Sequence, residues 1–187
     1  MRKTKDLIGK TIVNQATGEQ LATIGDVILD NDARQVVALL TDNGGWFRDA
    51  KVVLWNTVTS IGDVVVVRGG TTEIIASSER ELAYLLESKT PMTGTTIISH
   101  GGERIGTVGD LFIDDAGNVV GYEVRQGFIN DLSGRKFLPV ESVEAVGKDA
   151  IIASGAELQS VKQAQQHDTS SMQAGTEHAR PVDTNAR

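Results

Sequence analysis

One stretch of eight residues occurs twice, and it limits the chain to folds built from two like halves. Thr23-Ile24-Gly25-Asp26-Val27-Ile28-Leu29-Asp30 returns as Thr107-Val108-Gly109-Asp110-Leu111-Phe112-Ile113-Asp114, with Gly109 standing 84 positions after Gly25. The correspondence continues on both sides. Thr17-Gly18-Glu19 matches Gly101-Gly102-Glu103, Val36-Val37-Ala38-Leu39 matches Val119-Val120-Gly121-Tyr122, and Lys51-Val52-Val53-Leu54 matches Lys136-Phe137-Leu138-Pro139. Val58-Thr59-Ser60-Ile61-Gly62 matches Val143-Glu144-Ala145-Val146-Gly147. So many matches in one order mark an internal repeat.

Each repeat reads as five or six short strands, near 11–13, 21–30, 35–41, 51–55, 57–61 and 64–67, then 96–98, 105–114, 119–125, 136–140, 142–146 and 150–153. Only 4% of residues are aromatic, so the core must come from Val, Ile and Leu, two of which favour strands. Asp30-Asn31-Asp32 and Asp114-Asp115-Ala116-Gly117-Asn118 carry turn chemistry, and Gly62-Asp63 between Ile61 and Val64 is a hairpin signal. Alternation puts Val27 and Leu29 on one face, with Asp26 and Ile28 on the other. Repeats of this size are too short for a full sandwich and suit a small closed barrel.

Between the repeats, Ser78 and Glu81 have capping-box spacing, and Leu82, Leu85 and Leu86 share a helical face ahead of Pro91. The sequence predicts a connector helix docked on its own barrel. The expected organisation is a first barrel at 1–70, a helical linker at 71–90, a second barrel at 91–155 and a polar tail at 156–187 too poor in bulky residues to order.

Net charge is −7, and no segment is net basic: residues 1–70 balance eight cations against eight anions, and the later segments are acidic. Direct nucleic-acid binding, which draws on clustered Lys and Arg, is not expected. No cysteine is present. The basic start Met1-Arg2-Lys3-Thr4-Lys5 leads into no apolar run, so it does not read as a secretory signal, and no stretch is apolar enough for a membrane helix. A cytoplasmic protein is expected.

The chemistry-bearing residues form no site in the sequence. Asp30 and Asp32 begin like a calcium loop, but Arg34 follows and no Glu closes it. Asp26 and Asp110 read as polar positions on half-exposed strands of different barrels. His100, His167 and His178 share no ligand spacing, and no glycine-rich phosphate loop occurs. Neither metal, cofactor nor catalytic set is expected. Trp55, after Val52-Val53-Leu54, reads as core. Both repeats place an apolar pair before the fourth strand: Trp46-Phe47 with Arg48, and Phe128-Ile129 with Arg135. Either these side chains plug the barrels, or they form exposed aromatic-and-Arg patches of the kind found at binding hot spots.

The repeats resemble the PRC-barrel family, the small β-barrel of the photosynthetic reaction-centre H subunit and of the ribosome-maturation factor. The resemblance rests on Ile24-Gly25-Asp26-Val27 with Asp30, on Val108-Gly109-Asp110-Leu111 with Asp114, on Lys136 to Val140 and on Val143 to Ile152. The first repeat departs from it with Leu54 and Trp55 where the second has Pro139 and Val140. The resemblance implies a mainly β fold of two tandem barrels and a non-enzymatic adaptor that binds another protein. Association with a membrane-bound complex and self-association fit the family as well. The alternative is an assembly factor for ribosomes or RNA processing; a small-ligand carrier or enzyme ranks below both.

Overall fold

The computed structural model describes residues 1–42, 49–88, 92–126, 136–154 and 158–160. Its elements run β1 (Arg2–Lys3), β2 (Thr11–Asn14), β3 (Gln20–Leu29), β4 (Val36–Thr41), β5 (Lys51–Leu54), β6 (Val58–Ile61), β7 (Val65–Val67), β8 (Ile74–Ile75) and α1 (Arg80–Glu87). The second repeat follows as β9 (Thr96–Ser99), β10 (Arg104–Ile113), β11 (Val119–Arg125), β12 (Lys136–Pro139), β13 (Val143–Val146), β14 (Ala150–Ala153) and β15 (Gln159–Ser160). The tail from 161 onward lies outside the described residues.

The two repeats have one topology. The first sheet has the order β6-β7-β2-β3-β4-β5-β8, and the second has β13-β14-β9-β10-β11-β12-β15. In each, one parallel pair interrupts antiparallel neighbours: β2 with β7, and β9 with β14. Each sheet curls into a half-barrel whose strand order is open at both ends among the described residues. Their concave faces meet in one core, where Ile24, Val27, Leu39 and Val53 join Val108, Leu111, Tyr122 and Leu138. The two halves therefore share a core, although they keep separate sheets.

The repeated Gly-Asp step is a β-bulge in both halves. The β3–β4 register shifts between Ile24 and Asp26, and the β10–β11 register shifts between Val108 and Asp110. The extra residue changes strand parity. That is how Ile24 and Val27, three apart, both enter the inner core, as do Val108 and Leu111. The bulged aspartates then accept the next amide, from Val27 N–H (2.8 Å) and Leu111 N–H (2.9 Å).

On the outer face of the first sheet, Ile28, Ala38 and Val52 are covered by Leu82 and Leu85 of α1, so the connector helix docks on its own repeat. The capping box does not form. Residues Ala76–Ser78 make a 3-10 turn closed by Glu79 N–H to Ala76 O (3.1 Å), which places Glu79 at the N-cap. Ser78 Oγ instead donates to Ile75 O (2.6 Å), so it is turned away from the helix it was expected to cap. The corresponding face of the second sheet is aromatic. Phe112 and Phe137 meet edge to face at 5.4 Å, with Met1 and Val120 against them, and glycine at 121 leaves room for the Phe137 ring.

Candidate functional site

Six residues singled out from the sequence, Trp46, Phe47, Arg48, Phe128, Ile129 and Arg135, lie outside the described residues. Their loops occupy equivalent places, between β4 and β5 and between β11 and β12. The ends of the first loop are tied down. Thr41 Oγ1 donates to Glu73 Oε1 (2.6 Å), Glu73 pairs with Lys51 (3.9 Å), and Asp42 Oδ1 accepts Thr23 N–H (3.1 Å). In the second repeat, Gln126 Nε2 donates to Ile105 O at 3.4 Å beside the loop.

What the described residues do bring together is a seam between the repeats. Asp30 Oδ1 accepts Arg34 N–H (2.7 Å) and Gln35 N–H (3.1 Å), and Asp114 Oδ1 accepts Asn118 N–H (2.8 Å). Each carboxylate thus closes its own turn by accepting amides four or five residues on, which is what the acidic residues contribute here. The two turns then pair with each other: Val36 N–H donates to Gly117 O (2.9 Å), Val119 N–H donates to Arg34 O (2.8 Å), and Gln35 bridges Asn118 antiparallel. The reciprocity is that of a pseudo-twofold axis.

Each turn rests on the short 3-10 segment of the opposite repeat. Trp55 Nε1–H donates to Ala116 O (2.8 Å), and its indole lies where a Gly117 side chain would be. Opposite, the Arg34 guanidinium reaches Val140 O (3.4 Å) and Val143 O (3.2 Å). Trp55 is core as expected, 6% exposed. Its departure from Val140 gains a reason here, because it seats the partner turn. A shallow groove of about 330 Å³ runs beside it, lined by Val37, Leu54, Trp55, Asn56 and Ala116 among others.

Tyr122 lies under the seam, fully buried. Burial pushes its hydroxyl up to about 12; nearby Arg34 pulls down and Asp30 pushes up, both less strongly. Its oxygen has no hydrogen-bond partner among the described residues.

A second junction was missed at the sequence level. The basic start crosses to the other repeat. β1 pairs antiparallel with the end of β10, Arg2 opposite Ile113 and Lys3 opposite Phe112. Lys3 Nζ pairs with Glu123 and stands 5.4 Å over the Phe112 ring. Thr4 Oγ1 donates to Asp110 Oδ1 (2.8 Å), and Lys5 Nζ lies 3.8 Å from Asp110 Oδ2. Arg2 donates to Ile61 O (3.0 Å) and pairs with Asp115, touching both repeats. Asp110 is therefore 3% exposed where a half-exposed strand position was expected, while Asp26 keeps partial exposure. The arm supplies the cover that makes the difference. Glycine at 109 lets the Arg125 and Glu123 side chains lie close: a Cβ there would be 2.9 Å from Arg125 Nε and 3.2 Å from Glu123 Oε1, so the Arg125 side chain would have to shift.

Among the described residues, no cluster of His, Cys, Asp or Glu is placed to hold a metal ion, and no helix is long and apolar enough to cross a membrane.

The repeated bulge, the matching topology and the paired half-barrels define a tandem of small β-barrel domains. The PRC-barrel domain model matches the chain over residues 1–74 and 89–159, and the chain belongs to that family. No curated protein matches it.

Proposed function

We propose that the chain is a non-enzymatic scaffold that binds another protein through the paired loops of its two PRC barrels. The barrels would span 1–70 and 91–155, joined by the 71–90 connector and followed by the 156–187 tail. Trp46, Phe47 and Arg48 would form one contact patch, and Phe128, Ile129 and Arg135 the other. The observation that carries this reading is the use of charged side chains between the repeats. The buried Glu123 and Asp110, the half-buried Lys3 and the exposed Arg34 are all engaged in holding repeat to repeat. A frame stiffened in this way presents its equivalent loops in fixed relation, as an adaptor requires.

The test is Trp46→Ala in the full chain, measured for melting and for retention of partners from a native extract. Truncating a hot-spot aromatic typically costs about 2 kcal/mol or more, so retention should fall at least about tenfold. The melting midpoint should be unchanged. If Trp46 instead plugs the barrel, the same change should cost about 3–5 kcal/mol of stability, and the loop reading then fails.

A further inference from the structure

The N-terminal arm lies in the second repeat as a bound peptide would. β10 is ten residues long, but β9 pairs only with its first part, at Arg104, Gly106 and Thr107. The edge at Phe112 and Ile113 is left for another strand, and β1 fills it. An unfilled edge is a template for strand addition. Beside it, Asp110 and Glu123 stand directly opposite each other in register, both buried. Two like charges at such a place need a cation, since burying a carboxylate without one is costly. Lys3 supplies it, 12% exposed against 2% for Glu123, and its ammonium also lies over Phe112. Thr4 completes the fit on Asp110, whose Oδ2 has no hydrogen-bond partner among the described residues.

We infer that this edge is a peptide-recognition slot, closed in the resting chain by its own arm. Its ligand class is an extended segment of another chain, with Lys opposite Phe112 followed by Thr or Ser. Backbone pairing supplies affinity, and the buried acid pair supplies selectivity, as in other strand-addition sites. The arm can leave without opening the shared core, because Leu7, fully buried in that core, anchors the chain just behind it, and Gly9 (φ +82°) turns it. The slot and the loop patches have no residue in common, so the two proposals fail separately.

The probe is a fluorescent peptide, Met-Arg-Lys-Thr-Lys-Asp-Leu-Ile, labelled at its C-terminus and followed by anisotropy against full-length protein. The chain carrying Lys3→Ala and Thr4→Ala should bind it about tenfold or more tighter than wild type, whose slot is filled. Adding Glu123→Gln, or changing the peptide lysine to Ala, should remove that gain. Trp46→Ala should leave it untouched. Equal binding by wild type and the released-arm variant, or binding indifferent to Glu123→Gln, overturns the inference. If the released-arm variant loses cooperative melting, wild type decides through amide exchange. Excess peptide should speed exchange in residues 2–5 while Phe112 and Ile113 stay protected. Unchanged arm exchange at excess peptide overturns the inference.

Discussion

Gly117→Ala tests the seam most directly. Two penalties meet at this position. Its φ is +87°, a left-handed backbone that costs a residue with a Cβ about 1–2 kcal/mol. The new methyl would also lie 2.5 Å from Cε2 and 2.8 Å from Cδ1 of Trp55, and closer still to Nε1. The indole cannot swing aside without giving up its bond to Ala116 O. Overpacking of this kind costs about 1–3 kcal/mol. The expected total is about 2–5 kcal/mol, or a fall of roughly 5–15 °C in the melting midpoint of a chain this size. Gly18→Ala is the internal control. Its φ is +71°, but a Cβ there meets nothing within 4 Å, so only the backbone penalty applies. Urea denaturation of both variants, repeated in a Trp55→Ala background, closes the cycle. Removing the indole should relieve Gly117→Ala by about 1–3 kcal/mol and leave Gly18→Ala unchanged. If Gly117→Ala costs no more than Gly18→Ala, or Trp55→Ala gives no relief, the turn does not sit under the indole and the pseudo-twofold seam is refuted.

Two further outcomes are expected. Because burial raises the Tyr122 hydroxyl to about 12, above the 10.0 of the unfolded chain, its protonated form stabilises the fold below pH 10, and that contribution is lost as pH rises from 10 towards 12. At pH 11, Tyr122→Phe should be protected from about 1 kcal/mol of destabilisation seen in wild type, read as the difference between urea melts at pH 8 and pH 11. On the connector, Leu85→Ala should cost about 2–4 kcal/mol because the side chain is buried on the first sheet, whereas Tyr84→Ala, 58% exposed, should stay within about 0.5 kcal/mol; equal effects in thermal melts would mean that α1 is not docked.

The strands, the repeat and the connector helix were legible because their signals are local. Alternation put Val27 and Ile28 on opposite faces, which the fold makes inner and outer, and Lys51–Leu54 and Lys136–Pro139 match strand for strand in the fold. The Gly-Asp step was visible as a repeat but not as a bulge, since a parity change shows only once the partner strand fixes the register. The capping box failed for a related reason: Ser78 and Glu81 have the right spacing, but the preceding 3-10 turn, set by Ala76 packing at the core, moves the helix start to Glu79.

The seam and the arm depend on contacts between residues 60 to 120 positions apart, for which no periodicity exists. Their signals lie in departures from the repeat. Trp55 stands where the second repeat has Val140, and its indole reaches the opposite turn. A basic arm opens the first repeat, while β10 and β11 of the second bury Asp110 and Glu123 opposite each other, and Lys3 of the arm pairs with Glu123. Read by local criteria, Met1 to Lys5 is only a start without an apolar run. Read against two buried acids in the other half, it supplies a counter-charge. In a tandem repeat, symmetry reports what each half needs in order to fold alone. The breaks in symmetry, at Trp55 and at the arm, are the positions where one half contacts the other.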